Sequence, residues 1–298
     1  MKIDLMKIDE KEKIIENTVL SLDSNEHMEK LKHAHLDIVE FIADMHNVFM
    51  PVPYQIYELK KIVEMMIHEK EYADFFGSRE IIAPLIEKFK KEDMLLFSDI
   101  RRYVRVIGHA TTYEEAHELG LKLLKILEYF SAQKLYKGVK VGIHLNLLVR
   151  FTRSKYERVD GKLNKEMKDR LDELFNFHYD ALDAIFDPEK ISVYKAVAII
   201  RRGIYFREVV KDRHNTKDGF KALEKAGRSE MYKQLFEEAQ KSGLYSKDTQ
   251  VPDYISHLGR EAKMEGLLDY LRGLTDGELN YVDTAIRNLI DLRYRDYR

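Results

Sequence analysis

The sequence contains no cysteine and no tryptophan, only five prolines, and no glycine before Gly77. Without cysteine there is no disulfide, thiolate nucleophile, zinc ribbon or cysteine-ligated iron–sulfur cluster, and the redox compartment is left open. Also missing is any run of about 18 uninterrupted apolar residues, the least that crosses a bilayer. The first residues, Met1, Lys2, Ile3 and Asp4, lack the apolar stretch of a secretion signal. Export and membrane contact are not expected, and the cytoplasm is the expected location.

The signatures of phosphate chemistry are absent as well. A Walker loop needs Gly, Lys and then Ser or Thr, so that backbone amides and a hydroxyl hold phosphate and magnesium. Gly161 and Lys162 are followed by Leu163. Gly138 and Gly142 are wrongly spaced for a dinucleotide fingerprint, and no serine has glycines two residues away on both sides, as a nucleophile elbow requires. These absences point away from the familiar enzyme classes, and no cofactor is expected.

What is present is an ample core and a concealed separation of charge. The 298 residues are 45% hydrophobic, enough to fold as one large domain or two smaller ones. A boundary near Pro188 would divide a region 1–188 from a helical region 189–298; the polar stretch from Ser242 to Pro252 is the other candidate. The formal net charge is only −2, yet residues 1–100 carry 13 Lys+Arg against 21 Asp+Glu, a balance of −8. Residues 134–170 carry 11 against 4, a balance of +7. Such surfaces attract each other within one molecule, between copies, or towards different partners. Abundant Lys, Glu, Ile and Tyr fits a low-GC coding bias, such as that of a Gram-positive bacterium or one of its phages.

The first three segments have helical spacing. Asp9 with Glu12 reads as a capping box opening a helix with Ile15, Val19 and Leu22 on one face. From about Ser24, residues Met28, Leu31, His35, Ile38, Ile42 and Met45 alternate steps of three and four, the seam of a core helix in a bundle. After Pro51 and Pro53 a third helix is expected to run to about Phe76, with Gly77 beyond its end.

In the middle the period changes. Val139, Val141, Ile143, Leu145, Leu147, Val149 and Phe151 fall on every second residue, which predicts a half-buried strand. Arg101 to Gly108 gives a weaker strand signal through Val104 and Val106, and Thr112 with Glu115 caps a helix between the two. Asp160 and Gly161 read as a hairpin turn. From Asn164 a helical period returns through Met167, Leu171, Leu174, Phe175 and Leu182, and a last helix is expected from Thr275. The expected fold is therefore mainly α with a small central β element, a multi-helix α+β protein.

Three constellations invite a functional reading. His33, His35, Asp37, Glu40, Asp44 and His46 crowd one helix, where a stripe of ligands for a divalent ion competes with a plain solvated face. His109 and His117 flank a capping box and could polarise a substrate, but a lone histidine beside a helix start commonly serves only as a surface or cap residue. The strongest signal is the basic patch: Lys140, His144, Asn146 and Arg150 on the polar side of the expected strand, with Arg102, Arg105, Arg153, Lys155 and Arg158 beside it. Such a patch could neutralise phosphates while Tyr103, Tyr136 and Tyr156 stack bases, or it could dock protein. A pI near 6.6 argues against a dedicated nucleic-acid binder. The C-terminal run Arg293, Tyr294, Arg295, Asp296, Tyr297, Arg298 joins two residue types enriched at interface hot spots. The expectation is a non-enzymatic protein-interaction or regulatory factor that self-associates, a phage or mobile-element product acting on a host protein complex. A nucleic-acid-binding regulator using residues 101–170 is the alternative.

Overall fold

The computed structural model describes residues 5–22, 28–154, 164–187, 191–212, 214–246 and 249–251. These residues are 80% helical and contain no strand, which corrects the expected α+β fold to an all-α one. The helices are α1 Leu5–Ser21, α2 Met28–Asn47, α3 Tyr54–Tyr72, α4 Phe75–Lys91, α5 Phe97–Val106, α6 Tyr113–Leu127, α7 Tyr136–Thr152, α8 Lys165–Asp183, α9 Val193–Tyr205, α10 Lys217–Lys225 and α11 Ser229–Lys241.

The alternation from Val139 to Phe151 belongs to α7, and its burial explains the error. Val141, Ile143, His144, Leu147, Leu148, Arg150 and Phe151 are all buried, because α5, α6, α8 and α9 surround this helix. A helix enclosed on most sides has no polar stripe to report its period. Of the polar residues that seemed to mark a solvent face, His144 and Arg150 are buried with internal partners: His144 meets His178, and Arg150 donates to the carbonyls of Ala110 and Thr111. Residues 101–108 likewise form the end of α5 and a 3-10 turn. The start of α5 is fixed by Asp99, which accepts from the backbone N–H of Leu96 at 2.7 Å. The expected hairpin at Asp160 and Gly161 and the last helix from Thr275 lie outside the described residues.

Other boundaries follow local chemistry. Thr112 accepts from Glu115 N at 3.1 Å while Glu115 reaches back to Thr111 N, so that cap is real. Asn164 accepts from Met167 N at 2.8 Å and opens α8. Asp9 lies inside α1 and caps nothing. The expected single helix from Pro53 is two: Ala73 turns left-handed at φ 50°, and Asp74 caps α4 by accepting from Phe76 N at 3.0 Å. Gly77 sits within α4, where a Cβ would collide with the ring of His68 on α3.

One large core joins α1 to α8, with Ile38, Phe41, Ile62, Phe89, Ile100, Leu123, Leu147 and Phe175 among its buried members. Helix α9 has two apolar faces. Ala198 and Tyr205 join the large core, where the Tyr205 ring stacks 3.8 Å from that of Phe175. Ala196, Ile200 and Ile204 instead meet Phe220, Leu223, Tyr232 and Phe236 of α10 and α11 in a second cluster. No described helix is long and apolar enough to cross a membrane.

Candidate functional site

Among the described residues, the cations singled out from the sequence are held by partners within the chain. Arg102 is buried against Glu16 (2.7 Å), Glu58 (3.0 Å) and Asp99, joining α1, α3 and α5. Arg105 donates to the carbonyl of Leu20 at 2.8 Å, and Lys140 pairs with Glu128 at 2.9 Å. Arg153 pairs with Glu69 of α3, whose second oxygen lies 3.5 Å from His109. Burial alone would raise the Glu69 pKa, but the neighbouring His109 ring and the Arg153 charge outweigh it and hold that carboxyl at about 2. Of the tyrosines, Tyr103 is buried on Phe89 and donates to Glu92, and Tyr136 donates to Glu128. Lys155, Tyr156, Arg158 and the tail residues Arg293, Tyr294, Arg295 and Tyr297 lie outside the described residues.

A second cluster emerges only in three dimensions. His178 on α8 places one ring nitrogen 3.0 Å from Nδ1 of His117 on α6 and the other 2.9 Å from Nδ1 of His144 on α7. Three neutral rings satisfy this chain, each N–H donating to the next ring; two adjacent imidazoliums would break it. Burial, then the Lys140 charge, pushes the His144 pKa down to about 4. Burial, then the neighbouring His144 and His117, pushes His178 down to about 3. Because His178 turns a different nitrogen to each neighbour, the rings do not converge on one point, and among the described residues no group of three or more His, Cys, Asp or Glu is arranged to hold a metal ion. On α2, His33 and Asp37 form an exposed pair 3.5 Å apart, while His35 turns towards Glu64 of α3 at 3.6 Å.

The surface offers a third arrangement. Lys88 Nζ lies 4.1 Å from the centre of the Tyr54 ring, bringing the start of α3 beside the end of α4. Lys122 donates to the carbonyls of Phe89 (2.9 Å) and Lys90 (3.1 Å), tying that end of α4 to α6. The rings of Phe97 and Phe130, 5.6 Å apart, join the start of α5 to the end of α6. The loops 48–53, 92–96 and 128–135 therefore share one end of the bundle. They project Phe49 (98% exposed), Met94 (92%), Tyr129 (83%), Leu96 and Leu135. Phe49 is the C′ residue of α2: Met50 N donates to Met45 O at 2.9 Å and Phe49 N to His46 O at 3.0 Å, a Schellman closure with φ 56° at Phe49. That conformation favours glycine and costs a bulky residue about 1–2 kcal/mol. Lys91, Lys125, Lys134 and Lys137 stand around these side chains, exposed and without an ion pair or hydrogen bond among the described residues.

Sequence reasoning did not find this end. Its one local signal was a large aromatic beside the Met50–Pro51 break; the exposure of Met94 and Tyr129 is set by packing between distant helices. Comparison with protein-family models, with curated proteins and with solved structures finds no match for this chain.

Proposed function

We propose that the chain is a non-enzymatic protein-interaction factor that self-associates, and that its working surface is the end of the bundle bearing Phe49, Met94, Leu96, Tyr129 and Leu135. The observation that supports this reading is the exposure of five large apolar side chains on three adjoining loops. Full burial of such a side chain is worth about 1.5–3 kcal/mol, and the part unrealised in the isolated chain is recovered by a docked protein surface. Phe, Tyr and Met are also the types enriched at protein interfaces. The nucleic-acid alternative draws less support, because Arg102, Arg105, Lys140, Arg150 and Arg153 are already engaged internally.

Light scattering of the full chain across micromolar concentrations tests the reading, alongside Phe49→Ser/Met94→Ser. The parent should exceed the mass of one chain, 35.3 kDa, and the variant should move towards it with its helical circular dichroism unchanged. A strictly monomeric parent, or association that the substitutions leave intact, would sink this assignment. Submicromolar binding of DNA or RNA at about 150 mM salt would favour the alternative, since a phosphate-dominated contact weakens steeply as salt rises.

A further inference from the structure

We infer that copies of this chain associate head to tail, the lysine-ringed apolar end of one docking on an acidic cleft between α6 and α8 of the next. This rests on the self-association proposed above and names the surface that meets the apolar end.

The cleft has a volume of about 730 Å³ and is lined by Glu114, Lys165, Glu166, Asp169, Arg170 and Glu173. Arg170 is taken up by Glu173 at 2.6 Å, so among the described residues lining the cleft Glu114, Glu166 and Asp169 face one remaining cation, Lys165. Phe177, one turn beyond Glu173 on α8, is exposed beside them with its ring edge-on to His117 at 5.8 Å. Among the described residues the cleft thus carries what the lysine-ringed end lacks, an excess of negative charge, with an apolar footing next to it.

Position makes the contact heterologous. Glu114 stands in the first turn of α6 and Lys125 in its last. At 1.5 Å per residue they are about 16 Å apart along one rigid helix. The two surfaces therefore cannot meet within one copy. Among the described residues around the apolar end, Lys91, Lys125, Lys134 and Lys137 oppose one carboxylate without an internal partner, Asp93; Glu92, Asp99 and Glu128 are taken by Lys88, Arg102 and Lys140. Two copies meeting through this same end would set lysines against lysines. Docking on the cleft sets them against Glu114, Glu166 and Asp169 and lays the apolar tips near Phe177. A contact between two different patches does not close on itself, so it propagates into a ring or an open chain.

The test uses the full chain and two charge-reversed variants at exposed positions, Lys125→Glu/Lys134→Glu and Glu166→Lys/Asp169→Lys, each checked by circular dichroism. Mass by light scattering should climb past two chains with concentration for the parent and fall back as salt is raised. Each variant alone should be monomeric, having lost one of the two surfaces. Mixed in equal amounts they should associate again, because each supplies the surface the other has lost and the two reversed surfaces, carboxylates against ammoniums, attract as the parental ones do. A monomeric parent overturns this inference together with the self-association beneath it. A parent that associates while the variants assemble as it does, or while the mixture stays monomeric, overturns the head-to-tail contact alone.

Discussion

The guanidinium of Arg102 stands 3.0 Å from the carboxylate of Glu58, with 7% and 3% of the two side chains exposed. Lys88 holds the other oxygen of Glu58 at 2.6 Å, and Arg102 continues to Glu16 and Asp99, so one charged knot ties α1, α3, α4 and α5 together. Arg102 and Glu58, its buried members, can be buried only because they are paired. Arg102→Met should therefore destabilise by about 1–3 kcal/mol in urea denaturation, since buried Glu58 keeps Lys88 but loses its second partner. Adding Glu58→Met should return part of that loss. A single-variant loss below about 1 kcal/mol would mean that water reaches the knot.

The histidine chain makes stability depend on pH in a definite direction. His144 and His178 are held neutral in the fold, at pKa values of about 4 and about 3, against 6.5 for an unperturbed imidazole. Below pH about 6.5 the unfolded chain takes up protons that the folded one does not, so their contribution is complete above that value and falls as pH drops towards 4. The loss over that window should be on the order of a few kcal/mol, since a tenfold change in proton affinity is worth about 1.4 kcal/mol. His178→Leu should cost about 1–3 kcal/mol at pH 7, because His117 and His144 lose their partner. It should also flatten the decline between pH 6.5 and 4. Denaturation midpoints at several pH values measure both; an undiminished slope in the variant would show that carboxylates elsewhere set the acid limit.

The sequence was most legible where a backbone group is satisfied by a nearby side chain or where one helix face alone is buried. The cap at Thr112 and Glu115, the seam Leu31–Ile38–Met45 and the onset after Asn164 are of this kind. Its charges misled because composition records no partners: Arg153 is answered by Glu69, 84 residues earlier, and His144 by His178, 34 later. The same blindness turned α7 into a strand, since a buried polar residue with a distant partner looks like a solvent-facing one. The break between α3 and α4 was hidden for a different reason. The chain makes it with a left-handed Ala73 where glycine is usual, and puts Gly77 inside the next helix for close packing.

Close packing also fixes Gly219 in α10. A Cβ there would lie 2.8 Å from the carbonyl oxygen of Ala196 and 2.8 Å from Cγ1 of Ile200, both on α9. Glycine to alanine in a helix is ordinarily favourable by about 1 kcal/mol. Here it should instead destabilise by about 1–3 kcal/mol, because α10 must move away from the second core. Gly138→Ala in the first turn of α7 is the matched control, with nothing within 4 Å of the added carbon, and should be neutral or stabilising. Equal effects of the two substitutions in thermal or urea unfolding would remove the packing explanation.

Phe49 separates folding from association. Its left-handed backbone at φ 56° closes α2, and its ring, 98% exposed, packs against almost nothing in its own chain. Phe49→Gly relieves the backbone strain, partly offset by the greater freedom of glycine in the unfolded chain. A net gain of about 0.5–1 kcal/mol in folding stability is expected. Phe49→Ala keeps the strain and should leave stability within about 0.5 kcal/mol of the parent, as exposed substitutions do. Both variants remove the ring from the apolar end, so both should weaken self-association, by at least tenfold if Phe49 is a central anchor worth about 1.4 kcal/mol or more. Urea midpoints and concentration-dependent light scattering on the same samples read the two effects separately. A glycine variant that is less stable than the parent would show that the ring contributes to the fold, and one that associates as the parent does would remove Phe49 from the interface.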